Sequence, residues 1–194
     1  MRIYTFQTQK AFENAAKIGF FRGDPSEILK YWDDSWDPMF KGAYEFIIEE
    51  MKKRMPYVGP YPIWAWAERP DLRKERHTFH DKTLLITAEV PDERILLSDF
   101  EMYHACLDNS YLSWTEKEDD CMTALGEMEP SAEEKRESWK KMFDIKKKRT
   151  ADEARWLGKE TIVQCCIDGI SMKEIVKITH FKPGTPRNLR KRVV

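Results

Sequence analysis

A β-type segment that passes into a helix without a break opens the chain, and it limits the available folds more than any other stretch. In Ile3–Gly19, IYTFQTQKAFENAAKIG, the β-favouring Ile3, Tyr4 and Phe6 sit among Thr5, Gln7 and Thr8, which can hydrogen-bond. From Gln9 the period changes. Ala11, Phe12, Ala15, Ala16 and Ile18 follow helical spacing, and Gly19 stands where a helix C-terminus favours a left-handed residue. Such a junction leaves the last polar side chains of the strand beside the helix N-terminus, where backbone N–H groups favour polar or anionic ligands.

The remaining elements follow from the same signals. Asp24 before Pro25 marks a short helix to about Trp32, and Asp37 before Pro38 starts a longer one to about Met55, stopped by Pro56. Ile63–Glu68 alternates as a strand, with Trp64 and Trp66 on one face and Ile63 and Ala65 on the other. Lys82–Val90 and Ile95–Leu97 read as two more strands. In Ser98-Asp99-Phe100-Glu101 the spacing predicts a capping box with Ser98 as the cap, opening a helix to about Leu107 that carries His104 and Cys106. Glu116–Glu129 is acidic and weakly patterned. Ser131–Arg149 reads as a charged helix with a Ser131/Glu134 capping box, followed by a helix from about Ala151 to Gly158, with Lys146–Arg149 as a solvated helix end. Thr161–Ile167 returns to strand character, Ser171–Ile175 is a brief helical turn, and Val176–Phe181 is the last strand.

Charge is distributed unevenly. Residues 1–139 hold 18 basic and 28 acidic side chains, whereas residues 140–194 hold 15 and 6. That polarity fits either a polyanionic partner at the C-terminal end or an electrostatic match within the molecule. In the tail, Lys182, Arg187, Arg190, Lys191 and Arg192 are the candidate phosphate contacts for nucleic acid. No apolar run approaches the length of a membrane helix and MRIYTFQTQK lacks a signal-peptide core, so a cytoplasmic protein without a membrane partner is expected. Four cysteines without a CxxC, two of them adjacent (Cys165 and Cys166), read as reduced thiols. His77 and His80 have H-x-x-H spacing in a loop with no helical signal, so no metal site is expected. Trp64 and Trp66 are core residues or a stacking wall for a planar ligand. His104 reads as a structural histidine.

Two resemblances extend this reading. The order of elements, the Trp-rich strand and the phrase PDERILLSDFEMYHACLDNSYL resemble a bacterial family known as domain of unknown function 3841, over most of the chain. More distantly, Ile3–Gly19 resembles the opening of DarT-type ADP-ribosyltransferases, where a strand bearing His-x-Thr precedes a helix that starts Asn-Leu and ends in Gly. Thr5 falls at the His, Gln7 at the Thr, Ala11-Phe12 at Asn-Leu and Gly19 at the Gly. Arg54 near a helix end, Tyr61-Pro62-Ile63-Trp64 and VQCCIDGISMKEIVKI continue the likeness, with Gln164 at the position of the catalytic Glu.

The resemblance implies an α+β, ADP-ribosyltransferase-like fold of two small, mainly antiparallel sheets with flanking helices and a cleft between them. The single domain would span 1–181, with a charged helical insertion at about 115–159 and a basic tail at 182–194. It implies NAD as substrate and transfer of ADP-ribose to a macromolecule. Thr5, Gln7 and Thr8 would contact ribose and amide groups, Arg54 a phosphate, Tyr61, Trp64 or Trp66 a ring, and Gln164 the reacting ribose. Gln164 can hydrogen-bond a ribose hydroxyl but carries no charge and cannot act as a base. The alternative is a non-catalytic nucleic-acid- or protein-binding module on the same fold. Under the transferase reading, Gln7 and Gln164 face one hollow.

Overall fold

The structure, a computed structural model, describes residues 1–24, 37–56, 59–72, 83–124 and 129–181. The expected helix at Pro25–Trp32, the His77/His80 pair and the basic tail lie outside the described residues.

Local sequence accounts for most element ends. Strand β1 (Arg2–Gln7) hands over to helix α1 (Gln9–Ile18) at Thr8, whose hydroxyl accepts the Ala11 N–H at 3.0 Å. Such a cap is worth about 1 kcal/mol over alanine. Gly19 closes α1 at φ 79°, the left-handed conformation its position foretells. Strand β2 (Phe20–Phe21) follows, then α2 (Asp37–Arg54), β3 (Ile63–Trp66), β4 (Leu84–Glu89) and β5 (Ile95–Asp99). After β5 come α3 (Phe100–Leu107), α4 (Glu116–Ala124), α5 (Ala132–Trp139) and α6 (Ala151–Leu157). Strands β6 (Val163–Ile167), β7 (Ile170–Ser171) and β8 (Ile175–His180) complete the order.

Among the described residues the fold is α+β, with two antiparallel sheets of unequal size. Six strands form the larger, in the order β5-β6-β3-β1-β4-β8, and β2 pairs with β7 in the smaller. Gly169 permits that second pairing, because a Cβ there would lie 2.1 Å from the Phe20 ring and 2.5 Å from the Phe21 carbonyl. Arg94 braces the same end of the sheet through Glu174 at 2.6 Å, Asp168 at 3.0 Å and the Gly169 carbonyl at 2.8 Å.

The large sheet is covered on both faces, and each strand divides its side chains between two cores. Ile3, Ile63, Ala65, Ile86, Cys165 and Ile167 pack with Ala15 of α1 and with Phe21 and Ile170 of the small sheet. Leu96 and Cys166 pack on the other side with Ala43, Ile47 and Met51 of α2, Tyr103 and Cys106 of α3, and Trp139 and Met142. The adjacent thiols therefore point into opposite cores, as strand alternation requires.

Three local expectations are corrected. The cap of α3 is Asp99, whose Oδ1 accepts from the Glu101 and Met102 N–H groups. Ser98 sits one residue too early, still inside β5. The charged helix from Ser131 keeps its capping box but ends at Trp139, giving way to a 3-10 turn (Lys140–Phe143) that buries Met142. Arg149 is no solvated helix end: it is buried in an ion pair with Asp99 and donates to the Leu157 and Gly158 carbonyls at 2.9 and 2.7 Å. That contact ties the helical segment to the edge of the sheet. The weakly patterned Glu116–Glu129 contains α4, whose first turn is held by side chains: Thr115 accepts the Glu118 N–H at 3.1 Å and Glu118 accepts the Trp114 N–H at 2.7 Å.

Candidate functional site

Strands β1 and β3 meet along a seam. Strand β1 is in register with β4 from Arg2↔Glu89 to Gln7↔Leu84, and β3 with β6 from Ile63↔Ile167 to Trp66↔Gln164. Between β1 and β3 the matched pair is Tyr4↔Trp66. Beyond it the Thr5 hydroxyl donates to the Trp64 carbonyl at 2.8 Å, and the Gln7 amide donates to the Thr5 oxygen at 3.0 Å. A side-chain bond thus stands where a ladder bond would run. The polar residues of the opening strand are spent on this joint, and Thr8 on its cap. Thr5 is buried, while Gln7 and Thr8 are half-buried.

The register lines up a row across five strands: Thr87, Tyr4, Trp66, Gln164 and Ser98. In-register neighbours share a face of the sheet, with Cβ atoms about 4.5–5.5 Å apart. This row lies on the face that carries Leu96 and Cys166. Thr5 and Gln7 alternate with Tyr4 and so belong to the opposite face. The structure therefore does not bring Thr5 or Gln7 together with Gln164. Strand β3 separates their strands by two spacings, roughly 9–10 Å, and the pleat turns them apart. The shared hollow expected between Gln7 and Gln164 is not formed.

Among the described residues, three polar atoms on the row's side are buried without a partner. They are the Gln164 amide nitrogen, the Ser98 hydroxyl and the Tyr103 hydroxyl, on residues 4%, 0% and 5% exposed. A buried donor left unpaired costs about 1–3 kcal/mol, so each such group calls for a reason. Gln164 and Ser98 are direct cross-strand neighbours. Beside them stands a wall of aromatic rings. Half-buried Trp66 meets Phe100 edge-on at 5.0 Å, and Phe100 meets His104 at 4.9 Å. Because Phe100 starts α3 two residues after Ser98, the wall and the orphaned pair are set by the same strand end.

The other expected site residues have different surroundings. Trp64 belongs to the helical core, its ring 4.8 Å from Tyr103 and its N–H donating to the Tyr44 hydroxyl at 3.1 Å. Burial pushes the Tyr44 phenol up to about 12, so it stays protonated as a partner for Trp64. Tyr61 is half-buried, edge-on to Tyr44 at 5.9 Å. Arg54 donates to Glu50 at 2.9 Å and lies over the Phe143 ring at 4.4 Å, which places it in the helical layer. Burial raises the thiols of Cys106, Cys165 and Cys166, the second to about 12, which removes them as nucleophiles at neutral pH. Among the described residues no group of three or more His, Cys, Asp or Glu side chains could hold a metal ion, and no helix is long and apolar enough to cross a membrane.

A family model described as Domain of unknown function (DUF3841) matches residues 2–163. The chain belongs to this family. In this DUF3841 protein the match runs from the start of β1 to the first residue of β6, and so includes Tyr4, Trp66, Ser98, Phe100 and His104. No curated protein and no solved structure matches the chain.

In the sequence Gln164 and Trp66 stood out as candidates and His104 as a structural histidine, while Ser98 and Phe100 were not marked as candidates. A signal for Ser98 was present. In ILLSD the alternation places Ser98 on the side of Leu96, turned inward, where a hydroxyl needs a partner. Phe100 and His104 carry no comparable mark, because a Phe and a His one turn apart on a helix are ordinary.

Proposed function

We propose that this DUF3841 protein is an ADP-ribosyltransferase-like nucleotide-binding protein whose ligand, NAD or a relative of it, seats against the row Tyr4–Trp66–Gln164–Ser98. One observation carries the reading. The side chain that stands at the catalytic-Glu position in the DarT-type likeness has a buried amide N–H with no partner among the described residues, and Ser98, its cross-strand neighbour, has an equally unpartnered hydroxyl. An N–H donor and a hydroxyl side by side, uncharged, suit a ribose diol or a carboxamide. Next to them stands the Trp66 ring with Phe100 edge-on to it, an aromatic neighbour for a base or pyridine ring. Arg149 is committed to Asp99, so phosphates would be held elsewhere.

In the likeness the carboxylate favours the positive charge that develops on ribose when nicotinamide leaves. Gln164 supports binding and orientation of the ribose hydroxyls but supplies no such charge. Losing one preorganised electrostatic group costs about two to three powers of ten in rate. The reading is therefore a nucleotide binder with slow glycosyl transfer. Thr5, Gln7 and Thr8 have no part in it.

Thermal unfolding in the presence of NAD, ADP-ribose or ATP tests it. A ligand at a hundred times its Kd stabilises by about 2.7 kcal/mol, which for a chain of this size is a rise of roughly 5–10 °C. NAD or ADP-ribose should give that rise. A melting temperature unmoved by all three at millimolar concentration overturns the reading.

A further inference from the structure

We infer that residues 149–160 form a strap at the β5–β6 end of the large sheet, one that opens and closes as a unit, with the Arg149 guanidinium as its latch. The inference stands apart from the nucleotide reading above. Three observations carry it. First, one side chain joins both ends of the segment. Arg149 Nη2 donates to Asp99 Oδ2, and Nη1 donates to the carbonyls of Leu157 at 2.9 Å, Gly158 at 2.7 Å and Glu160 at 3.4 Å. The planar fork thus reaches from a residue just before α6 to the carbonyls at and beyond its end. Second, the helix in between cannot hold itself. At seven residues, α6 is well under the length at which a helix is stable in water. Its N-terminus has the Thr150/Glu153 capping box, but Gly158 ends it at φ 91°, and among the described residues no backbone N–H caps its last carbonyls. Arg149 takes that part, where a cation also meets the negative end of the helix dipole. Third, α6 has little hold on the core. Leu157 packs partly against the helical core and Glu153 is buried in its pair with Lys147, whereas Ala151, Asp152, Arg155 and Trp156 are exposed.

Few buried apolar contacts and a tie concentrated in one polar group are what set a low-stability unit apart from the global fold. The residues just before the strap differ in this respect: Trp139 and Met142 are core residues, so the strap opens without them. Its far end is fixed to the sheet. The Phe100 N–H donates to the Ile162 carbonyl at 2.8 Å, and Asp99 is in register with Val163, next to the pair Ser98 and Gln164. When the latch releases, Asp99 loses its counter-charge and the chain entering β6 loses its tie one register position from those two orphaned groups. The strap therefore sets how firmly that strand end is held.

Hydrogen exchange read by mass spectrometry on the full chain tests this, comparing peptides from 151–160 with peptides from β4, where Leu84–Ala88 are buried. Two substitutions weaken the latch differently. Arg149→Lys keeps the positive charge and loses the fork. Asp99→Asn loses the charge and keeps an oxygen for the Glu101 and Met102 N–H groups. In wild type, 151–160 should be protected yet exchange faster than β4. A hydrogen bond to a charged group shifts an equilibrium by about tenfold to a hundredfold, so in each variant the ratio of the two rates should rise by about tenfold or more. Trypsin should likewise cut faster after Arg155 and Lys159, both exposed. The ratio separates the strap from the fold as a whole, because a variant that only lowers global stability speeds both peptides together. Three results overturn the inference: a wild-type segment that exchanges as slowly as β4, one with no protection at all, or a ratio that does not rise in Arg149→Lys. Should that variant not fold, the same reading of the ratio in Asp99→Asn decides.

Discussion

Replacing Gln164 with leucine should make the free protein more stable and the liganded protein no better. The wild-type side chain is 4% exposed and its amide nitrogen has no partner. A buried polar group in that state costs about 1–3 kcal/mol. Leucine removes the donor at similar volume and adds apolar contact beside Cys166 and Trp66, so the expected gain is about 1–3 kcal/mol. For a chain of this length each kcal/mol moves the melting point by about 2–4 °C. Gln164→Leu should therefore melt several degrees above wild type without ligand, and the rise that NAD produces in wild type should vanish. Urea unfolding with an unchanged slope would show that the gain is in stability and not in the compactness of the unfolded chain. Two results refute the reasoning separately. A destabilised variant would mean that the amide is satisfied in the folded protein. A stabilised variant that still responds to NAD would mean that the orphaned donor lies outside the binding site.

Two further predictions test the parts assigned to structure. Thr5→Val keeps the shape but leaves the Trp64 carbonyl without its donor, so chemical denaturation should show a loss of about 1–3 kcal/mol with the NAD response retained; loss of that response alone would return Thr5 to the site. Burial opposes ionisation of Glu118, but the Lys141 ammonium at 2.5 Å and the Trp114 N–H hold its carboxyl below the usual value, and Lys53 and Arg54 do the same for Glu50 against its own burial. A depressed carboxyl adds stability that is present above its unfolded value, near 4.5, and is lost as the pH falls through the folded value. The melting temperature should thus fall below about pH 4.5, and Glu118→Gln should flatten that limb in a pH series from 7 to 3 while lowering the plateau.

What the sequence reveals and what it withholds divide along the range of the interactions. Element boundaries set by neighbours in the chain were readable: Gly19 closing α1, Ser131 and Glu134 capping α5, Trp64 and Trp66 sharing a face. The antiparallel α+β character was implied by the family resemblance. The register between distant strands did not, and the site depends on it. Gln7 and Gln164 each look like the polar end of a binding strand, yet two facts decide their relation: β3 lies between β1 and β6, and Tyr4 rather than Thr5 is level with Gln164. A slip of one residue would reverse the faces. Arg149 shows the same limit in charge. Within Lys146–Arg149 nothing distinguishes it, and only the fold brings Asp99 to it from fifty residues away.

Restoring a carboxylate by Gln164→Glu puts the proposed chemistry to its hardest test, because stability and activity should move in opposite directions. The introduced carboxylate would lie beside Ser98, whose hydroxyl can donate to it, but the nearby guanidinium of Arg149 is already paired with Asp99. Burial without a cation raises the pKa of a carboxyl in the folded state. A group so raised stabilises the fold below its unfolded value and forfeits that stability as the pH climbs through the folded value, so the variant should melt lower at pH 8 than at pH 5, relative to wild type at each. If NAD sits against this row, the same carboxylate faces the ribose where positive charge develops, and nicotinamide release should rise by about 10²–10³. The ribose itself gains positive charge only in the transition state, so the gain should appear in kcat more than in KM. A variant that shows the pH-dependent loss of stability but no gain in turnover would establish that position 164 is buried as described and that the ribose of NAD does not come to it.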